Sequence, residues 1–460
     1  MFEPFNLKTH NSNVPPVAEI KPGKKWIVVT SISGPTNDIK RLSSFADWNL
    51  VVVADTKTPT NWSLPGVHFL SVDYQKTLPF SIINYLPYKS YTRKNIGYLY
   101  AISHGAEWIY DTDDDNKPYG KGLDQFDYTE SVSGVRFFPK YSDIRRRLFN
   151  PYSFFGMVDM WPRGFPLESL KSHTNGGDRM TLCTKMPRAS VQQGLVHHDP
   201  DVDAIYRLLN ADPNSGLDVK FNEFAPPITL APRTYSPWNS QNTLFHKSAF
   251  HTLFLPTTVS FRTTDIWRSY FAQAILHLSG LSVAFVPVNA VQFRNAHDYL
   301  KDFNDEQQVY KDAGKMVDVI SKWNCTRDNI EECMEELAVI FAENELWKFE
   351  DAQLIKLFIK DLKMLKYEFP NLSQEDDQLL PSQNESDFAV NCRRISLNYE
   401  VNSVSKQSYK LGNYDQFFRN LQELRQKWPI SAKLKSGVEK VAIMVGYGQL
   451  VVAYEKWLGS

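Results

Sequence analysis

Four acidic residues crowd into five positions, Asp111, Asp113, Asp114 and Asp115, directly after the apolar run Trp108-Ile109-Tyr110. Carboxylates this close repel one another, so holding them at the end of a strand costs stability unless a cation offsets the charge. A hard divalent ion does this well, because Mg²⁺ takes one or two carboxylates and leaves its other positions to water and phosphate oxygens. Asp113 and Asp115, one residue apart, can both turn toward one ion where the strand ends. An isolated pair of this kind is more often a solvated acidic turn, so the surrounding elements must decide.

Those elements are strands and helices in alternation. Trp26–Ser33 is a β-branched run that ends in the turn Ser33-Gly34-Pro35-Thr36. Helical spacing covers Ile39–Trp48, a buried strand follows at Leu50–Ala54 and ends in Asp55, and Val67–Val72 is a third strand. Tyr91-Thr92-Arg93-Lys94-Asn95-Ile96-Gly97 opens a helix that runs to His104, with Gly105 as its cap. The strand Trp108–Tyr110 then delivers the acidic cluster. This alternation predicts a parallel, doubly wound α/β sheet, and such sheets bind ligands at the carboxyl ends of their strands. Ser33, Asp55 and the acidic cluster fall at those ends. A nucleoside diphosphate needs a carboxylate for its base or ribose, cations for its phosphates, and a metal; Asp55, Arg93 with Lys94, and Asp113 with Asp115 match that list. Each alone reads as a turn or a solvated first helical turn.

The whole chain sets the bounds. Its 460 residues carry 51 basic and 52 acidic side chains, a balance that points to no nucleic acid and no anionic membrane surface. No apolar run is long enough for a membrane span, and no signal peptide is expected at the N-terminus. Cys325 and Cys333, eight apart, can pair, whereas the pairing of Cys183 and Cys392 is unreadable. Sequons at Asn61, Asn324, Asn371 and Asn384 permit a secretory location. Asp199, Asp201 and Asp203 alternate before the helix Ala204–Leu209, where Asp201 or Asp203 suits a cap. His197-His198 has no partner at a zinc-like spacing. After about residue 305 the periodicity is helical, over Gln308–Trp323, Glu332–Trp347, Asp351–Tyr367 and 412–428. Val441–Gly448 reads as a buried strand or helix.

Several blocks carry a family resemblance. Val52-Val53-Ala54-Asp55-Thr56-Lys57-Thr58-Pro59, Lys94-Asn95-Ile96-Gly97-Tyr98 and Asp113-Asp114-Asp115 resemble the reversibly glycosylated polypeptides, which are UDP-arabinopyranose mutases. They resemble more closely the STELLO family of Golgi glycosyltransferase-like proteins. The likeness continues through Asn150-Pro151-Tyr152, Trp161-Pro162-Arg163-Gly164-Phe165-Pro166, Gln192-Gln193-Gly194 and Asp199–Arg207. Further blocks are Pro237–Thr243, Arg262–Arg268 and Gln292–Asp298, so it covers roughly residues 25–325.

The resemblance implies a Rossmann-like GT-A fold, a mostly parallel sheet flanked by helices, followed by a mainly helical C-terminal region. The implied divisions are a lead-in at 1–24, a GT-A domain at 25–325 (nucleotide half 25–120, acceptor half 121–325) and an accessory domain at 326–460. It implies Ser33, Asp55, Arg93, Lys94, Asn95, Asp113 and Asp114 as nucleotide-sugar ligands. The metal, Mn²⁺ or Mg²⁺, would sit on Asp113 and Asp115 with His297 as a third ligand, neutral imidazole favouring Mn²⁺. Asp265 would act on the acceptor or the transferred sugar, the alternative being a helix cap. Arg163 matches the arginine that the mutases glycosylate, although Phe165 replaces their tyrosine; a clamp on diphosphate or carboxylate is the other reading. A UDP-sugar donor, a glycan or protein acceptor and the Golgi lumen follow by analogy, with other glycosyltransferases as partners. Membrane attachment would come only through an anchor absent from this chain. The rivals are a mutase-like or self-glycosylating protein and a scaffold without turnover.

Overall fold

A computed structural model describes residues 18–21, 23–138, 147–170, 179–212, 215–223, 225–293, 298–373, 392–400, 442–443 and 449–453. Uninterrupted β-branched runs make its first strands. In β1 (Lys25–Ser31) and β2 (Trp48–Ala54), Ile27 to Val29 and Val51 to Val53 are buried on both faces of the sheet, as parallel strands covered by helices require. Between them lies α1 (Asn37–Ser43), capped by the Thr36 hydroxyl. It is shorter than the helical spacing suggests, because Trp48 is already paired with Lys25 at the start of β2. β3 (Val67–Leu70) stops before Ser71, whose hydroxyl caps α2 (Val72–Thr77).

The middle of the chain follows with α3 (Lys94–Ser103), β4 (Trp108–Thr112), β5 (Lys117–Pro118), β6 (Ser131–Phe138), α4 (Pro151–Phe154), β7 (Arg179–Pro187) and β8 (Val191–His198). Next come α5 (Ala204–Asn210), β9 (Ile228–Leu230), β10 (Asn242–His246), α6 (Thr264–Leu278) and β11 (Val283–Gln292). The last third holds α7 (Tyr299–Asp305), α8 (Gln307–Lys322), α9 (Ile330–Glu343), α10 (Phe349–Met364), β12 (Cys392–Glu400), β13 (Ala442–Ile443) and β14 (Gln449–Ala453). The expected helix 412–428 lies outside the described residues. Of Val441–Gly448, the described part is the short strand β13.

One mixed sheet runs β13-β14-β12-β7-β6-β9-β11-β8-β10-β4-β1-β2-β3. From β3 to β11 the strands are parallel except β10, which is antiparallel to both its neighbours, β4 and β8. The carboxyl ends of β1, β2, β4, β8 and β11 therefore share one edge, and the start of β10 joins them there. This is the α/β architecture that the alternation predicts, and it is consistent with a GT-A-like fold.

Helix α3 lies close against β1 and β2 because Gly97 has no side chain. A Cβ there would come within 2.6 Å of Val28 Cγ1 and 2.7 Å of Val53 Cγ2. Overpacking of this kind costs about 1–3 kcal/mol. Gly97→Ala should therefore lower the thermal midpoint, and an unchanged midpoint would show that helix and sheet are not this close.

Helices α8, α9 and α10 cover the core rather than stand apart from it. Met316, Leu337, Phe341, Phe358 and Leu362 belong to the same buried cluster as Trp26, Ile96 and Phe285. Two carboxylates of α10 fasten this layer. Asp361 accepts the backbone N–H groups of Ser81 (2.7 Å) and Ile82 (3.0 Å), and Asp351 accepts those of Thr257 (2.6 Å) and Thr258 (2.9 Å). Cys325 and Cys333 form a disulfide at the entry to α9, with Cα atoms 5.5 Å apart.

Candidate active site

At the shared strand edge lies a cleft of about 380 Å³. The ends of β1 and β4 supply its floor. Strand β4 is wholly buried up to Thr112, and the chain then turns outward through Asp113, Asp114 and Asp115. The turn is pinned from below: Asn116 donates to the Tyr110 hydroxyl and to Thr112 Oγ1, each at 3.1 Å. Ser31 Oγ donates to Asp114 at 2.6 Å, and Gln292 Nε2 donates to Asp115 at 2.9 Å.

Behind the acidic turn stands a charge network that sequence reasoning missed. Lys94 Nζ is fully buried and donates to Asp111 (2.9 Å), to the Thr112 carbonyl (2.8 Å) and, at 3.4 Å, to Asp113. On the other side Arg268, from α6, contacts Asp111 at 2.8 Å and donates to Ser240 and Tyr98. Asp111 thus sits between two buried cations. Burial disfavours the charge on Lys94, but Asp111 and Asp113 outweigh it and raise its pKa. Lys94 appears in the sequence as one more helical cation, and only the opposing Asp111 explains its burial.

The same surroundings act the other way on Asp113. Its carboxyl is 45 % exposed into the cleft, yet it lies deep among protein atoms and other carboxylates. Desolvation leads, Asp115, Asp111 and Asp114 add to it, Lys94 opposes, and the pKa is pushed up to about 7. Desolvation also raises Asp114, against the Ser31 hydroxyl. Asp113 accepts only the long bond from Lys94, and Asp115 only the one from Gln292; their other oxygens have no partner among the described residues. Two adjacent oxygen donors with unmet charge fit a hard divalent cation that keeps its remaining positions for water and phosphate. Among the described residues no three His, Cys, Asp or Glu side chains gather as a full metal cage would require. His297, the third expected ligand, lies outside the described residues.

The other expected residues separate into those that line the cleft and those that support it. Asp55 lines it, with its carboxylate accepting the N–H groups of Thr56 (2.6 Å) and Ser90 (3.0 Å). Burial alone would raise its pKa, but the backbone donors of Lys89, Thr56 and Ser90 prevail and lower it. Arg93 also reaches the cleft, although its guanidinium turns inward to Gln75 and the Leu86 carbonyl and stacks 4.3 Å from the Tyr88 ring. Asn95 exchanges two hydrogen bonds with the backbone of Leu255, 160 positions away, and does not line the cleft. Neither does Lys94. Ser33 is exposed, and Ser31 takes the place at the floor that the turn suggested for it. Lys57 and Lys89 stand exposed at the rim, and nothing in their spacing marks either as a ligand in the sequence.

Arg163, Asp201 and Asp265 form the far wall. Arg163 Nε donates to Asp201 at 2.9 Å, and Nη2 donates to Asp201 (2.7 Å) and Asp265 (2.9 Å). Nη1 donates to Asp265 (3.0 Å) and to the Arg262 carbonyl. Those contacts use all five guanidinium N–H donors. Burial works against the charge, but the two carboxylates hold the pKa well above the usual arginine value. Asp265 also accepts the N–H groups of Ile266 (3.1 Å) and Ser240 (3.1 Å), so each of its oxygens takes two bonds. It sits in the first turn of α6, not at the cap, which is Thr263. The three alternating aspartates before α5 do not converge: Asp199 pairs with Arg207, Asp201 with Arg163, and Asp203 caps α5 and accepts from Trp161.

The chain resembles known proteins of one family. Residues 262–425, which include Asp265 and Arg268, match the family model for STELLO glycosyltransferases. Over 354 residues the chain is 32% identical to "Probable glycosyltransferase STELLO2" of Arabidopsis thaliana, which covers 76% of this chain and 46% of that protein. It is 33% identical to "Probable glycosyltransferase STELLO1" of the same plant, again over 76% of this chain and 45% of the relative. The chain thus spans about half the length of the curated relatives it matches. This chain, with an α/β sheet of the expected kind, is thus similar to the STELLO glycosyltransferases over about three quarters of its length.

Proposed function

We propose that the cleft binds a nucleotide-sugar donor, a UDP-sugar, in a metal-dependent manner and transfers the sugar to a glycan or protein acceptor in the secretory pathway. The observation that carries this reading is the acidic floor. Asp113, 45 % exposed, stands beside Asp115 with carboxylate oxygens open to the cleft of about 380 Å³, and burial with the neighbouring carboxylates pushes the Asp113 pKa up to about 7. Asp113 and Asp115 would hold Mn²⁺ or Mg²⁺, which when bound supplies positive charge to the leaving diphosphate.

The chain's own residues do the rest. Lys94 and Arg268, locked on Asp111, keep the acidic turn in place while their charge lowers the cost of gathering it. Asp55, fixed by three backbone donors, presents a rigid acceptor to the base or ribose. Lys57 and Lys89 at the rim face the phosphate side. Arg163 and Asp265 form a pre-organised wall on which the sugar can rest. With two bonds on each oxygen, Asp265 orients Arg163 and can take a proton only by releasing one of those donors.

The mutase-like alternative is the weaker one. An arginine that attacks a sugar needs a nitrogen lone pair and a free position, and Arg163 has every donor engaged and a raised pKa. Calorimetric titration of UDP and UDP-sugars, in Mn²⁺ and in EDTA, tests the proposal. Binding should appear with metal and vanish with EDTA, and the intact mass should not rise after incubation with UDP-sugars. An absence of nucleotide binding with any divalent metal would leave the fold serving as a scaffold.

A further inference from the structure

Beyond Gln292 the strand edge continues into a strip of rings. Strand β8 ends at His198, which lies opposite Gln292 of β11 in the parallel pairing. The backbone of His198 is left-handed, at φ +68°, a conformation that a side chain with a Cβ rarely adopts and that tends to persist where it serves a site. Its ring packs 4.4 Å from Phe293, which is 54 % exposed. Its buried Nδ1 has no hydrogen-bond partner among the described residues. On the other side Tyr119, 45 % exposed, lies 6.0 Å from the His197 ring, and His197 is fixed by Glu223 at 2.9 Å. Tyr119 is held in place by its N–H, which donates to the Asn289 carbonyl at 2.7 Å.

Exposed rings are costly to leave in water, and here one packs on the His198 imidazole and the other lies beside the adjacent His197. Flat apolar faces with a few fixed polar atoms suit a ligand that has both C–H faces and hydroxyl groups. Gln292 connects the strip to the acidic floor, because its amide holds Asp115 while the residue that follows it is Phe293. The strip therefore begins where the acidic floor ends, on the side away from Asp55.

We infer that His198, Phe293 and Tyr119 form an acceptor subsite for a saccharide chain, with Phe293 and Tyr119 against the pyranose faces and the half-buried His198 imidazole bonded to a hydroxyl. The inference rests on the transferase reading and makes the acceptor a glycan, not a peptide. The left-handed His198 backbone aims the imidazole, so that its strain is retained for binding.

The test is saturation-transfer NMR on the full chain with cellotetraose, maltotetraose, mannotetraose and xylotetraose, run beside UDP titrations. The wild type should bind at least one tetrasaccharide. Phe293→Ala and Tyr119→Ala should each weaken it by about two- to tenfold, the loss of one ring contact, with UDP binding unchanged. His198→Gly should lose saccharide affinity while its thermal midpoint holds or rises, since glycine accepts the backbone that histidine does not. Two results would overturn the subsite: UDP binding with no tetrasaccharide bound, or tetrasaccharide binding unaffected by all three substitutions. Loss of UDP binding in the wild type would instead strike the donor reading.

Discussion

Asp113→Asn is expected to abolish metal-dependent UDP binding and, in EDTA at neutral pH, to make the protein more stable than the wild type. The two effects share one cause. In the folded protein Asp113 has its pKa pushed up to about 7, from an ordinary carboxylate value near 4. The folded state therefore holds the proton more tightly than the unfolded chain between those values. Stability from this group is present at low pH and is lost as pH rises through the window from about 4 to about 7. Above it, the unbound protein carries the full repulsion of an ionised Asp113 beside Asp114 and Asp115. Asparagine removes that repulsion together with the ligand charge. Differential scanning calorimetry in EDTA at pH 5 and pH 7.5 should show a larger gain for the variant at the higher pH. For the wild type, added Mn²⁺ should raise the midpoint more at pH 7.5 than at pH 5. A variant less stable than the wild type at pH 7.5 would mean that Asp113 is a structural carboxylate.

Two residues upstream, the same chemical change should have the opposite result. Asp111→Asn leaves Lys94 and Arg268, both fully buried, without the carboxylate that faces each of them at 2.9 and 2.8 Å. Breaking a buried pair from one side typically costs about 3–5 kcal/mol, because a charge is left buried without its partner. Here two cations are left. The half-exposed Asp113, 3.4 Å from Lys94, is a weak substitute. Equilibrium unfolding in urea should show a loss at the upper end of that range or an unfolded protein. A loss under about 1 kcal/mol would show that water or local rearrangement screens the pair, and that the network does not hold the acidic turn.

The contrast between Asp111 and Asp113 also shows what a sequence can disclose. Strands β1, β2 and β4 were legible because continuous apolar runs bounded by Gly, Pro and Asp have few other uses in an α/β chain. Their ends therefore placed Asp55 and Asp113–Asp115 on one edge. The roles of the cations were not legible. Lys94 and Arg268 look like any basic residues on helices, and nothing local says that both point inward to one aspartate, since the contact joins α3, β4 and α6. Arg163 showed the same limit, because its partners Asp201 and Asp265 are 38 and 102 positions away. The strip at His198 was invisible for another reason: backbone strain and an unpaired nitrogen exist only in three dimensions.

The antiparallel strand β10 has a consequence for how this chain is made. It completes β4 from the side away from β1, with Thr112 Oγ1 donating to the Gln241 carbonyl 129 positions later. Asn95 waits in the same way for Leu255, and the backbone at Ser81 for Asp361, 280 positions on. During synthesis, the residues of β1 to β4 emerge long before the segments that close them. An unpaired β4 edge next to a half-built core is a site for mispairing with other chains. Loop closures of such length also slow folding. The β1–β4 side should thus complete its folding only once β10 and α10 are available to close it.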